Sequence, residues 1–457
     1  MLQREITPRR MHAANGAQWL AIGPNRRTSR AVNIALMGPF GMGNLGDATI
    51  QDAVIHNIRR LYPASRIYGI SLNPADTEER HGIPTFAMDA SIRSRVGPTW
   101  FDRFLATGYR SVLARLVQKT SSWLVRTVSE AVFLARACVF TRRLDVLVVS
   151  GGGQIDDFWG GPWKQPLSMF KWSLLAKLCR CRLVILSIGG WNLRSSVSRW
   201  LVRYALSLAD YRSYRDDRTK DFVKSLGVEE HNHVFPDLAF SYPRRAYTNG
   251  QVKRTETLVI GISPIAADAW TTTEAPEYRA YCSALQAFAM DLLRAGHTVH
   301  LFPSQVKMDL PVVAELRRHL ERNCDSEIHG RIIEIPIQTV GDFMSAVEQV
   351  DIIIASRLHG VLLSALANKP VLAIAYQSKV RELMTQLTMQ EHCLDLRDAT
   401  EQNLKIRFAA LKDFRDAIEC RMGVMVRRFR ASLDRQFRQV FSDGNSGKAS
   451  RRLNYPQ

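Results

Sequence analysis

Apolar runs of strand length recur along the chain. Most end at a glycine or a small polar turn, and an amphipathic segment follows. Val32–Met37 is the first run. The glycine loop GPFGMGNLGD (38–47) comes next, then apolar residues at Ile50, Val54, Ile58 and Leu61. That last spacing lines one face of a helix. Leu144–Val149 leads into Gly151–Gly153, and Leu183–Ile188 leads into Gly189 and Gly190. Tyr211–Tyr214 makes a fourth, short strand. Ser241–Glu256 carries Pro243, Gly250 and four basic residues and predicts a linker. Beyond it, Thr257–Ile262, Thr298–Phe302, Arg331–Ile335, Asp351–Ala355 and Val371–Ala375 alternate with helical segments such as 276–295 and 309–322. Strand–turn–helix repeats of this kind predict α/β architecture with parallel sheets. We expect two α/β domains, at 31–240 and 257–400. A flexible leader is expected at 1–30, a helical insertion at 91–143, and a basic helix and tail at 401–457.

At 457 residues the chain is longer than one ordinary core supports, which agrees with two domains. The formal net charge is +19, a balance that favours anionic partners. The charge is uneven. Residues 91–143 hold ten Arg or Lys against two acidic residues, interleaved with aromatics such as Trp100, Phe101, Tyr109 and Trp123; residues 421–457 hold nine against two. A basic segment mixed with aromatics suits an anionic membrane surface; it also suits a helical hairpin with an arginine-rich solvent face. No run of 18 uncharged apolar residues predicts a spanning helix, and no apolar stretch follows the early basic residues as in a secretory signal. We therefore expect a cytoplasmic chain, with peripheral contact at the inner face of the membrane as a further expectation. The basic patches have no nucleic-acid-binding signature beside them, so no nucleic acid is expected as a partner. The seven cysteines are thinly spread, and no HExxH or CxxC pattern occurs, so neither a disulfide framework nor a metal is implied.

The richest stretch for chemistry is DIIIASRLHGVLLSALANKPVLAIAY (351–376). Ser356–Gly360 lies between a strand and a helix, where open α/β sheets bind ligands and helix N–H groups favour anions. Arg357 can clamp an anion there, and His359 can transfer a proton. Arg215 stands at a similar turn, as an anion clamp or as a partner of Asp216. The glycines of 38–47 let backbone approach a ligand, but the loop is neither a Walker loop nor a GxGxxG. Asp156 and Asp157 follow the Gly151–Gly153 turn. They can orient a hydroxyl or serve as a base, and helix capping is the other reading.

Taken in order, GNLGDATI (43–50), SGGG (150–153), SYRDDRTKDFVKSLG (213–227), PDLAF (236–240), SRLHG (356–360), Pro370 and Tyr376–Lys379 resemble the polysaccharide pyruvyl transferases over about residues 33–395. The resemblance implies two Rossmann-like domains facing each other, as in GT-B enzymes. It implies transfer of pyruvate from phosphoenolpyruvate to a sugar, giving a pyruvate ketal and phosphate. Phosphoenolpyruvate is then a co-substrate, no cofactor is needed, and the saccharide acceptor is free or lipid-linked. Arg357 and His359 fall on the family's active-site Arg-Leu-His, and Arg215 on its donor-binding arginine. With Leu358, Gly43, Asn44 and Gly46 they make the expected donor site. Asp47, Asp156 and Asp157 are candidates for acid–base or acceptor-binding work. The other readings are a GT-B sugar-nucleotide glycosyltransferase and a catalytically silent subunit of polysaccharide assembly.

Overall fold

The structure, a computed structural model, describes residues 31–41, 43–95, 112–158, 160–243, 256–267, 273 and 275–442. For 93–95, 112–126 and 442 it describes the backbone alone. The expected leader, the middle of the expected linker, the end of the tail and the aromatic start of the insertion lie outside these residues.

Two parallel sheets carry the chain. The first is built from β1 (Asn33–Met37), α1 (Leu45–Leu61), β2 (Arg66–Ser71), α2 (Pro74–His81), β3 (Thr85–Ala87), α3 (Val112–Thr141), β4 (Val146–Ser150), α4 (Gln165–Leu178), β5 (Arg182–Ile188), α5 (Ser196–Ser207), β6 (Tyr211–Tyr214), α6 (Asp217–Ser225) and β7 (Asn232–Val234). Its strand order is β3-β2-β1-β4-β5-β6-β7. The second is built from β8 (Val259–Ser263), α7 (Pro276–Arg294), β9 (Thr298–Leu301), α8 (Leu310–Asn323), β10 (Ile332–Glu334), α9 (Val340–Glu348), β11 (Ile352–Ala355), α10 (Leu358–Leu366), β12 (Val371–Ala375), α11 (Ser378–Gln386) and β13 (Cys393–Asp395). Its order, β10-β9-β8-β11-β12-β13, repeats the first up to the outermost strand. Two helices follow, α12 (Glu401–Asp413) and α13 (Arg415–Ser442).

Strands β4 (VLVVS) and β12 (VLAIA) are buried along their whole length. Helices cover both faces of a doubly wound parallel sheet, so its central strands read as continuous apolar runs rather than alternating ones. Each sheet reverses its winding between its first and fourth strands, β1 and β4 in one and β8 and β11 in the other. Ligands of such sheets bind outside the carboxyl ends at that reversal. The GNLGD loop follows β1, the glycine turn follows β4, and SRLHG follows β11.

The sheets share apolar packing. One continuous cluster joins Ile50, Val54 and Ile58 of α1 and Leu238–Phe240 to Val361 and Leu362 of α10 and to Leu433 and Phe437 of α13. A second cluster fills the far face of the first sheet, around Trp172, Met169 and Tyr214. The last helix returns across the first sheet. Gln436 Nε2 donates to Ser213 Oγ at 2.6 Å, and Arg430 donates to the carbonyls of Phe240 and Tyr242.

Candidate active site

The GNLGD loop needs left-handed backbone at Gly41 and Gly43, with φ of +90° and +72°. Asn44 then caps α1. Its side chain accepts from Gly46 N at 3.0 Å and donates to Asp47 Oδ2 at 2.9 Å. At Gly46 a Cβ would sit 1.7 Å from His359 Nδ1. The imidazole thus rests on the bare backbone of a residue more than three hundred positions earlier. The loop also meets the second sheet through Val306 N, which donates to Gly43 O at 3.4 Å.

Asp47 lies in the first turn of α1 and is half-buried. Burial raises its pKa to about 7, with Asp237 adding to the rise; Lys379, the Asn44 hydrogen bond and Arg215 pull it back. The turn after β4 comes close to it. Gly152, at φ +68°, is placed so that a Cβ would lie 3.4 Å from Asp47 Oδ1.

Arg215 follows β6 and is buried. Its Nη1 donates to Asp237 Oδ2 at 3.3 Å, and its Nε lies 3.7 Å from Asp216 Oδ2. The contact with Asp216 that the sequence offered as the alternative is therefore present, and Asp237 is added to it. Gly189 gives the guanidinium room, since a Cβ there would sit 2.6 Å from Nη2. Asp216 and Asp237 also accept backbone N–H bonds, from Thr219 and Ala239, which fixes both carboxylates.

Arg357 is the residue before α10. Its Nε and Nη2 form a fork on Asp309, both at 2.6 Å. Asp309 is fully buried and also accepts from Ala266 N at 3.1 Å and Gln305 N at 2.9 Å. The fork leaves Nη1 of Arg357 for a ligand. Leu358 is buried behind it.

His359 Nε2 lies 3.9 Å from Asp237 Oδ2, and the atom is buried with no hydrogen-bond partner among the described residues. Burial lowers the histidine pKa to about 4; Asp237 opposes this, and Arg215, Lys379 and Arg357 reinforce it. The ring is therefore neutral at neutral pH. Lys379, in the first turn of α11, acts electrostatically on both Asp47 and His359. Its Nζ also stands 5.4 Å from the centre of the Tyr376 ring.

The other two acidic candidates differ. Asp157 accepts from Arg194 N (3.1 Å) and Ser195 N (3.0 Å) just before α5. Burial pushes its pKa up, but the Ser195 and Arg194 backbone hydrogen bonds, with the Ser198 hydroxyl nearby, outweigh this and hold it below the usual value. That carboxylate is occupied as a cap. Among the described residues Asp156 accepts only from Phe158 N, at 2.6 Å, and burial raises its pKa. Lys379 acts on it too, so Asp156 faces the site.

Two arginines, a lysine, a neutral imidazole and a carboxyl that keeps its proton to near pH 7 thus gather where the two sheets' carboxyl ends meet. Such a set can hold a doubly anionic ligand and move protons next to it. Asp309, Asp237 and Lys379 were not singled out from sequence. Asp237 and Lys379 stood inside quoted motifs, PDLAF and Tyr376–Lys379. Asp309 had only the signal of an acidic residue at a helix start.

The two parallel sheets make an α/β fold of GT-B type. The family model for polysaccharide pyruvyl transferases matches residues 44–378, and the chain belongs to that family. No curated protein matches the chain. Among solved structures, the UDP-GlcNAc 2-epimerase from Neisseria meningitidis is similar at 11% identity and a TM-score of 0.54, over 91% of this chain and all of that one. The glycotransferase of kitacinnamycin is similar at 13% identity and a TM-score of 0.52, over 90% of this chain and 98% of that one. At these identities the likeness is one of fold. No helix among the described residues is long and apolar enough to cross a membrane.

Proposed function

We propose that this polysaccharide pyruvyl transferase takes pyruvate from phosphoenolpyruvate, forms a cyclic ketal on two hydroxyls of a saccharide, and releases phosphate. One observation carries the reading. Arg215, Arg357, Lys379, His359 and Asp47 converge from two sheets, with opposed pKa shifts on the two proton-transfer groups. Phosphoenolpyruvate bears a carboxylate and a phosphate close together. Nη1 of Arg357, Arg215, Lys379 and the backbone of the Gly43–Gly46 loop form a receptor of matching charge.

The proton steps follow from the shifts. Asp47 retains a proton near neutral pH and delivers it to the methylene carbon. Positive charge then develops at the neighbouring carbon, beside the newly ionised Asp47 and the fixed carboxylate of Asp237. A sugar hydroxyl bonds to that carbon and gives its proton to neutral His359. A second hydroxyl displaces the phosphate and closes the ring, and its proton leaves with the phosphate. Asp156 is placed to orient the acceptor.

Phosphoenolpyruvate is a cytosolic metabolite, so the reading puts the reaction in the cytoplasm. A lipid-linked saccharide at the inner face of the membrane is the acceptor it favours. The test is to incubate the protein with phosphoenolpyruvate and free or lipid-linked oligosaccharides. We expect phosphate release coupled to a new ketal methyl signal by NMR. His359→Ala should lower turnover roughly 10²–10⁴-fold with a smaller change in donor affinity. Tight sugar-nucleotide binding with no phosphoenolpyruvate binding would support the glycosyltransferase reading instead.

A further inference from the structure

Helices α4 and α5 lie side by side on the outer face of the first sheet, and their outward residues are unusual. On α4, Phe170, Leu174 and Leu178 recur at four-residue spacing and so share one face. On α5, Val197, Trp200 and Tyr204 do the same at three- and four-residue spacing. Leu178 is 71% exposed, Trp200 50%, and Trp163, in the turn leading into α4, 68%. The rings connect the helices. Phe170 and Trp200 are 5.6 Å apart between centroids, and Trp200 and Tyr204 are 4.6 Å apart. Isolated exposed apolar residues are ordinary, but a contiguous aromatic patch marks an interaction surface.

The chemistry of the rim selects the partner. Neither α4 nor α5 contains an acidic residue. Arg199 and Arg203 run along one flank of the Val197–Trp200–Tyr204 stripe, and both are exposed. Lys164 and Arg194 are exposed at the starts of the two helices. Among the described residues none of these four is in an ion pair. Lys171 and Lys177 are paired, with Glu130 and Asp210, and add less. Trp and Tyr beside exposed Arg and Lys outside ion pairs, on a helix pair without acids, fit the headgroup boundary of an anionic bilayer.

The position agrees. The chain leaves the glycine turn beside Asp47, passes Asp156 and exposed Phe158, and enters the Trp163 turn and α4. The end of the patch that carries Trp163 therefore lies next along the chain from the active-site turn. We propose that the aromatic face of α4 and α5 docks the protein on an anionic lipid bilayer. It brings the site to a lipid-linked acceptor and rests on the pyruvyl-transfer reading for that purpose alone.

The test is sedimentation of the full chain with phosphatidylglycerol–phosphatidylcholine vesicles, at low and physiological salt. Wild-type protein should bind in proportion to phosphatidylglycerol. The pair Leu178→Glu with Trp200→Glu should weaken binding roughly tenfold or more, through lost apolar insertion. Arg199→Glu with Arg203→Glu should weaken it comparably and reduce its salt dependence. Both variants should keep the wild-type unfolding temperature and the wild-type phosphate release with a soluble acceptor. Wild-type vesicle affinity in both variants would overturn the proposal. So would absence of wild-type binding, or a change in the protein's own sedimentation in the variants without a change in vesicle binding, which would assign the face to a second copy. Patch-dependent binding by a protein that releases no phosphate would support the docking face and sink the pyruvyl-transfer reading.

Discussion

At the scale of single residues, the site rests on two groups whose burial acts in opposite directions. Burial holds Asp47 protonated to about pH 7 and holds His359 neutral down to about pH 4. The stability consequences oppose each other. Between about pH 4 and 7 the folded chain keeps a proton on Asp47 that the unfolded chain has lost, so this group makes stability fall as pH rises. Between about pH 4 and 6.5 the unfolded chain protonates His359 and the folded chain does not, so this group makes stability rise. Asp47→Asn removes only the first effect. Its stability relative to wild type should therefore climb from pH 4 to 7 by about 2–4 kcal/mol, read from denaturant titrations at each pH. A constant difference across that range would mean Asp47 ionises normally. The second residue-scale prediction concerns Gly46. Alanine favours helix over glycine by about 1 kcal/mol, so on propensity Gly46→Ala should help α1. The contact with His359 forbids it, since a Cβ would sit 1.7 Å from Nδ1. Turnover should drop on the order of 10²-fold or more, with far-UV circular dichroism unchanged. Retained turnover would show that His359 can act from another position. The sequence carried Gly46, Asp47 and His359 as separate candidates. Nothing in it said that one makes room for another, because that contact joins two sheets. Asp237 and Asp309 hid for a related reason, since a carboxylate at a turn or helix start has a local explanation without a distant arginine.

At the scale of elements, long apolar runs were readable; of the three-residue edge strands only β10 was, inside Arg331–Ile335, and the interior strand β2 was not. Val371–Ala375 and Leu183–Ile188 stand within a residue of the strands β12 and β5, because a doubly wound sheet buries central strands on both faces. Strands β3, β7 and β13 have three residues each, too few for any period, and nothing in their composition marks them. The 91–143 insertion contains the long helix α3 (Val112–Thr141), whose described residues Phe133 and Ala137 pack into the first sheet's far face. The exposed aromatic face lies on α4 and α5 instead, where nothing in the sequence separates apolar residues that reach solvent from those that pack on the sheet. The junction of β11 and α10 shows how an element positions a ligand group. Arg357 is fixed by its fork on Asp309 before any ligand arrives. Arg357→Ala would leave a buried carboxylate with only two backbone donors. We expect a loss of about 3–5 kcal/mol of stability in addition to weaker donor binding. Arg357→Ala combined with Asp309→Ala should recover much of the stability and none of the donor affinity. Calorimetric donor titration and chemical denaturation of the single and double variants separate the two effects. Equal stability in the Arg357→Ala variant and wild type would mean the fork contributes nothing to folding.

At the scale of the whole molecule, the last helix ties the halves together. It begins beside the second sheet, where Arg415 bonds Asp351 at 2.8 Å, and ends on the first, where Arg182 donates to Val440 O at 2.8 Å. Between them Leu433, Phe437, Val440 and Phe441 are buried in the cluster shared by both sheets. Gln436 is fully buried and donates to Ser213 Oγ, 223 positions earlier. The basic helix expected within 401–457 is two helices, and α13 packs back on the first sheet with its apolar stripe, leaving Arg427, Arg428, Arg435 and Arg438 exposed. The orientation of two sheets that carry opposite walls of one active site therefore depends on a helix that supplies no catalytic group. Gln436→Ala removes one of two donors to the buried Ser213 hydroxyl, which keeps the Ser187 N–H, and should cost about 0.5–1.5 kcal/mol. Ending the chain before Leu433 removes four buried apolar side chains and exposes their partners on α1 and in the Leu238–Phe240 turn. At about 1.5–3 kcal/mol for each large apolar side chain, that loss rivals the whole stability of an ordinary domain. The truncated chain should be recovered unfolded or aggregated, and limited proteolysis should release no stable fragment containing both sheets. A truncated protein that stayed folded and still released phosphate from phosphoenolpyruvate would show that the two sheets hold their relative position without α13.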